Sequence, residues 1–210
     1  MGIRSTQAIV LGILLSPLAV QARPVSFQDG WMAMTTNDSM ENSAMFSYSP
    51  TAWDAFGIRT DFMRNDETWL HTLTYNRLLK RWNNAGSQAN IFLMTGAGIG
   101  DNHGDMSPAA FGGMEADWES RRYYLSYENR FITSSANDQY FDQKTRIGVA
   151  PYIGDYESIH TWFMLQVQNN PSADDKFIVT PLVRMFNTEF LTEVGYSSNK
   201  TLLFNATWQF

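Results

Sequence analysis

The sequence predicts an all-β chain: a transmembrane antiparallel up-and-down β-barrel of about twelve strands, with roughly ten to fourteen once boundary errors are admitted. Three observations carry this. Beyond residue 22, apolar and polar residues alternate in short segments bounded by turn residues, the period-two pattern of strands, with no helical period. No continuous apolar run of membrane length follows that point, yet all seven Trp, nine Tyr and 14 Phe lie there, and the mean hydropathy is −0.29. The number of alternating segments is even, so both termini fall at one end.

The first 22 residues read as a secretory leader. Arg4 supplies a basic start, Ala8 to Val20 is almost wholly apolar, and Ala19 to Ala22 ("AVQA") offers small residues for cleavage. The apolar block is shorter than the ~20 residues a spanning helix needs. The expected division is therefore a signal peptide at 1–22 and a barrel at 23–210. Without Arg4 the barrel carries 14 basic and 21 acidic side chains. That balance argues against a nucleic-acid partner, which requires a basic face. Cysteine is absent, so disulfides contribute nothing.

The strands follow in order. Asp29 to Thr36 opens the series. Ser43 to Pro50 sets Ala44, Phe46 and Tyr48 against Ser43, Met45, Ser47 and Ser49. Asp54 to Arg64 sets Phe56, Ile58, Thr60 and Phe62 against Gly57, Arg59, Asp61 and Met63. Thr68 to Lys80 is the least clear, because neither face is cleanly polar. Gln88 to Ile99 and Ala109 to Glu119 are next. Arg122 to Phe131 sets Tyr123, Leu125, Tyr127 and Phe131 against Arg122, Tyr124, Ser126, Glu128 and Arg130. Lys144 to Tyr152 alternates Ile147 and Val149 with Lys144, Arg146 and Gly148. Ser158 to Gln168, Lys176 to Phe186 and Thr188 to Ser197 lead to the last strand, Thr201 to Phe210. There Leu202, Phe204, Ala206, Trp208 and Phe210 share one face, and Leu203 is the one apolar residue on the other.

The connections are expected to alternate, long and polar at odd positions ("GDNHGDMSP", "TSSANDQYFD") and short at even ones, such as Ser120-Arg121. Trp53, Trp82, Trp118 and Trp208 then fall near the short turns, as an interfacial girdle would. A secreted β-sandwich or water-soluble barrel also alternates. Its polar face would scatter Lys and Glu, whereas here that face also carries many small residues and aromatics.

An exported, cysteine-free chain of alternating strands ending "TLLFNATWQF" resembles the bacterial outer-membrane β-barrel proteins, whose last strand ends in Phe or Trp with aromatics at alternating positions before it. The specific signature covers Phe204, Trp208 and Phe210. The resemblance implies residence in the outer membrane and contact with its lipid. It also implies reading of this strand by the barrel-assembly machinery and closure of the strand against the first one.

With the apolar face outward, an inward ladder of charge emerges: Arg59, Asp61, Glu115, Asp117, Glu119, Arg122, Glu128, Arg130, Lys144, Arg146, Arg184 and Glu193. A two-residue turn at Ser120-Arg121 would pair Glu119 with Arg122, Asp117 with Tyr124 and Glu115 with Ser126. Such ladders either satisfy one another inside a filled barrel or line a narrow polar channel. Met32, Met34, Met40 and Met45, with His103 of "GDNHGDM", form a possible soft-metal set, since thioethers suit Cu(I). Methionine also serves as flexible apolar filler. His71, His103 and His160 show no spacing with a nucleophile. No cofactor is expected.

The sequence therefore leads to an outer-membrane barrel passing small polar solutes or ions. The alternative is a closed-lumen binding or structural barrel, linked to copper through its methionines. A membrane-embedded hydrolase or acyltransferase, with His71 as its least unsuitable residue, is the third reading.

Overall fold

A computed structural model describes residues 23–134, 137–154, 158–173 and 175–210; the leader expected at 1–22 lies outside the described residues. Twelve strands close into one antiparallel barrel in sequence order: β1 (Gly30–Asn37), β2 (Glu41–Ser49), β3 (Asp54–Met63), β4 (Thr68–Asn84), β5 (Ser87–Asn102), β6 (Asp105–Ser120), β7 (Tyr123–Ser134), β8 (Asn137–Val149), β9 (His160–Asn169), β10 (Phe177–Phe186), β11 (Phe190–Tyr196) and β12 (Leu202–Gln209). All twelve expected strands are present.

Closure is made by β1 against β12, with Met32 opposite Gln209 and Thr35 opposite Ala206. Trp31 and Phe210 exchange backbone hydrogen bonds, N to O at 2.7 and 3.0 Å. The terminal residue is therefore held in the ladder rather than left to fray. The near rim carries Gly30 and Phe210, and the far rim carries Asn37 and Leu202. Strand length is uneven around the wall: β4, β5 and β6 have 17, 16 and 16 residues, while β1, β11 and β12 have 8, 7 and 8.

Polarity runs opposite to that of a water-soluble barrel. Phe46, Phe56, Ile58, Leu73, Leu125, Ile147, Phe163, Val179, Val194, Leu202 and Phe204 are exposed on the outside, whereas Asp61, Asp117, Arg130, Lys144, Arg184 and Glu193 are buried inside. A contiguous apolar exterior of this extent is the mark of a lipid-facing wall. The sandwich and water-soluble barrel are thereby excluded. Trp31, Trp53, Trp82, Trp118 and Trp208 are exposed toward the near rim, as the girdle predicted. Around the seam Trp31 packs on Phe46 (centroids 5.2 Å) and Tyr48 (4.8 Å), and Phe210 on Trp208 (4.4 Å).

Three expectations are corrected. The two longest odd loops, "GDNHGDMSP" and "TSSANDQYFD", are largely strand. "GDNHGDMSP" extends β5 and β6 to a two-residue turn, His103-Gly104, both at positive φ (53° and 92°), with the Asp101 carboxylate accepting from the Gly104 N–H at 2.7 Å. The widest separation between strands lies at an even-numbered position, from Val149 to His160. The β6–β7 register is also shifted by two residues. Ser120 Oγ accepts from the N–H of both Arg122 and Tyr123, so the turn spans 120–123. Glu119 consequently faces Tyr124, Asp117 faces Ser126, and Glu115 faces Glu128. A shift of two preserves which face is inward, so the ladder survives while its partners change.

The fourth strand looks mixed because Leu70 and Leu78 face inward while His71 and Arg77 face outward, and its pattern then changes parity. A bulge at Leu79 interrupts the β4–β5 register between Leu78 and Lys80. The extra residue reverses the alternation, so Thr72, Thr74, Asn76 and Leu78 are buried before it, and Arg81 reaches inward to Asn90 after it. No single period-two pattern fits across that point.

Candidate functional site

Wherever inward residues repeat every second position, charge accumulates in the lumen, and the closed wall decides which charges meet. Near the far half, Glu41 of β2, Arg59 and Asp61 of β3 and Arg130 of β7 form one cluster. Arg59 Nη2 lies 3.1 Å from Glu41 Oε1 and 2.6 Å from Asp61 Oδ1; Arg130 Nη1 lies 3.1 Å from Asp61 Oδ1, and its Nη2 pairs with Glu41 Oε2. Since β7 stands nearly opposite β2 in strand order, these pairs tie one wall to the other. The Arg130 guanidinium also sits 5.9 Å from the Phe111 ring, which lies across from Gly96; a Cβ on Gly96 would collide with it.

A second cross-lumen tie runs from Lys144 of β8 to Asp38, between β1 and β2, at 3.6 Å. Gln168 donates to the same carboxylate at 2.8 Å. The other Asp38 oxygen accepts from the N–H groups of Met40 and Glu41, closing the turn. The third cluster centres on Glu193 of β11. Arg184 Nη2 is 2.7 Å from Oε1, Arg146 Nη2 is 3.4 Å from Oε2, and Asn205 donates to Oε2 at 2.7 Å. Arg184 lies 4.8 Å from the Tyr124 ring, and Arg146 Nε donates to Gln166. Buried ions are tolerated only when paired and hydrogen-bonded in this way.

Toward the near rim, Asp117 and Glu119 of β6 face inward. Their partner is Arg23, which precedes the first strand: its Nη2 lies 3.2 Å from Asp117 Oδ1 and 2.8 Å from Glu119 Oε1. Between these levels is a cavity of about 70 Å³, room for a few waters, bordered by Pro24, Met34, Met45, Glu115, Glu128 and Thr207 among others. Glu115 and Glu128 stand directly opposite each other across β6–β7 and make no ion pair within 4 Å among the described residues.

Eleven of the twelve ladder residues face inward. Arg122 does not: although its parity is inward, it falls within the β6–β7 turn, exposed, and donates to the Pro151 carbonyl at 3.3 Å. The sequence reading missed Arg23, Asp38, Glu41 and Asp142. Glu41 and Asp142 continue the inward alternation of Ser43 and Lys144, so strands begun two residues earlier would have included both. Arg23 carries no such signal.

The methionine set is dispersed. Met34 and Met45 are direct cross-strand neighbours, and Met32 lies buried on the same inward face. The Met45 and Met32 sulfurs face the Asn76 and Gln209 side-chain amides at 4.0 and 3.7 Å. Met40 instead packs with Ala173 and Ile178 near the far rim, and His103 sits exposed in its turn with Glu67. His71 points outward beside Trp69 and Thr60, away from the lumen. Phe204, Trp208 and Phe210 are exposed on the outward face of the last strand and its end.

No family model matches this chain, and no curated protein matches it. Among solved structures, it is similar to the KdgM porin in complex with disordered oligogalacturonate, with a TM-score of 0.51 and 8% identity over 86% of this chain and 98% of that one. A second structure of the KdgM porin aligns over the same shares at 8% identity with a TM-score of 0.48. The chain is thus a twelve-stranded barrel with the fold of an outer-membrane porin.

Proposed function

We propose that the chain is a non-enzymatic outer-membrane barrel that passes small polar solutes or ions, with the near rim toward the periplasm. The observation that carries this is the lumen itself, a polar interior with charged groups from eight strands, inside an apolar wall of porin fold. A barrel serving only as a membrane anchor could fill its interior with apolar side chains, without the cost of burying ions. The porin it resembles was captured with an oligogalacturonate, an acidic sugar chain. Here Arg23, Arg59, Arg130, Lys144, Arg146 and Arg184 each have an acidic partner within 4 Å, whereas the carboxylates Glu115 and Glu128 have no cation that close among the described residues. We therefore assign the passage to neutral or cationic solutes rather than anionic ones. Planar-bilayer recording tests this: discrete, cation-preferring conductance is expected, and a folded barrel that passes no current at any voltage would end the passage reading.

One observation favours a second reading. The ties from Arg130 to Glu41 and from Lys144 to Asp38 cross the lumen, as a closed structural or binding barrel would require. In the passage reading these are exchangeable pairs that a solute displaces in turn. The two readings divide on the same recording.

A further inference from the structure

Residues 23–26 do not lie along the wall. They run into the lumen at the near rim, all four buried, before a turn at 27–29 with Asp29 at φ 60° leads into β1. The segment is held at each residue. Val25 packs against Ala55, Leu78 and Phe92; the Pro24 carbonyl accepts from Asn76 at 3.2 Å; and the Ser26 N–H donates to Ser49 Oγ at 3.0 Å. Arg23 is the tip. One of its nitrogens, Nη2, bridges the carboxylates of Asp117 and Glu119.

The receiving side is built largely by the barrel. Asn90 donates to Asp117 Oδ1 at 2.8 Å and is itself oriented by Arg81 at 2.7 Å. Arg81 fixes the amide, and Asp117 and Glu119 remain the acceptors for the Arg23 guanidinium. Asp117 is 4% exposed, and its Oδ2 has no hydrogen-bond partner, nor has Arg23 Nε. The pairing is therefore incomplete on both sides. A buried ion pair with unsatisfied atoms is a weak net contributor, so this contact can be exchanged.

We propose that Asp117 and Glu119 form a binding site for a guanidinium-bearing cation, and that Arg23 is its tethered internal occupant. The peg supplies what a free ligand would: a planar cation donating to two carboxylates, backed by a proline carbonyl and one apolar side chain. Pro24 also borders the central cavity, so withdrawal of the peg joins the site to that cavity and opens both toward the near rim. This deepens the passage reading by naming the solute class admitted at that rim, and rests on it only for the step beyond binding.

The test uses the folded barrel and arginine amide, followed by titration calorimetry. A chain lacking Arg23–Ser26 should bind the amide, and Arg23→Gln, which keeps the peg's length, should do so as well. The unaltered chain should bind at least about tenfold more weakly, because its own Arg23 competes at an effective concentration in the millimolar range. Adding Asp117→Asn and Glu119→Gln to the truncated barrel should abolish binding. No binding by either peg variant, or binding unchanged by the two amide substitutions, would overturn the site. Conductance of the same preparations separates the readings: binding without current ends passage and leaves the site, whereas current without binding ends the site and leaves passage.

Discussion

At the scale of single residues, the lumen is decided by which charges find partners. Glu41 receives two arginines, Arg59 and Arg130, with little water to replace them. Removing one member of a buried ion cluster leaves the others uncompensated, so Glu41→Ala should cost about 3–5 kcal/mol. The loss would be read as a lowered urea midpoint in detergent. Glu115 and Glu128 differ, facing each other across one rung with no ion pair within 4 Å among the described residues, although Lys144 stands opposite Glu128 on the next strand. Glu115→Gln with Glu128→Gln should reduce cation over anion preference in the reversal potential, while Asp117→Asn alone should shift it less because Arg23 already offsets that charge. Equal shifts from both would contradict the placement of the free pair. The inward set was legible in the sequence because alternation fixes a face even when register is wrong by two. The partners were not, since they come from strands that meet only when the wall closes.

At the scale of elements, the informative strands are the bulged one and the last. Leu79 reverses the parity of β4 and thereby turns Arg81 to the lumen and Trp82 to the outside. Deleting Leu79 removes the extra residue, so one alternation should run along the whole strand with Arg81 still inward and Trp82 still outward, and the folded barrel should form in normal yield. Heat-modifiable gel migration would show this, and loss of the folded form would contradict the bulge. Bulges leave no composition signal, so the change of parity at Leu79 could not be read from the sequence. The last strand was the clearest in the sequence, and its terminal aromatic has two measurable contacts: the backbone exchange with Trp31 and the ring contact with Trp208. Removing Phe210 should lower the amount of folded protein in the outer membrane, and normal levels would contradict both its structural and its proposed sorting role. Polar tracts misled the reading of the loops: "GDNHGDM" is rich in turn formers, yet only His103-Gly104 turns, because Asp101 and Asp105 still fit paired extended backbone.

For the whole molecule, the arrangement is a stack of ion clusters: Arg23 at the near rim, Glu193 in the middle, Glu41 and Asp38 toward the far rim. Each level draws on different strands, so no level could be assembled from a local stretch of sequence. The methionines illustrate the same point. Of four that cluster along the chain, Met32, Met34 and Met45 stay on one inward face, while Met40 is sent to the far rim and His103 to an exposed turn. Copper retention by the folded barrel should accordingly be unchanged when Met40 is replaced by Leu. A marked loss on that single change would revive a shared thioether site.

The unequal strand lengths have a consequence outside the protein. At ~3.4 Å per residue and a tilt of ~40°, the 16 residues of β5 give a wall about 40 Å tall, whereas the 7 of β11 give about 18 Å. The latter is less than the ~25 Å apolar band such barrels present. In the proposed membrane setting, acyl chains beside β11, β12 and β1 should therefore compress, and the lipid collar should grade from thick to thin around one circumference. Such a barrel would rest in a dimple of its own making, deepest where the first and last strands join.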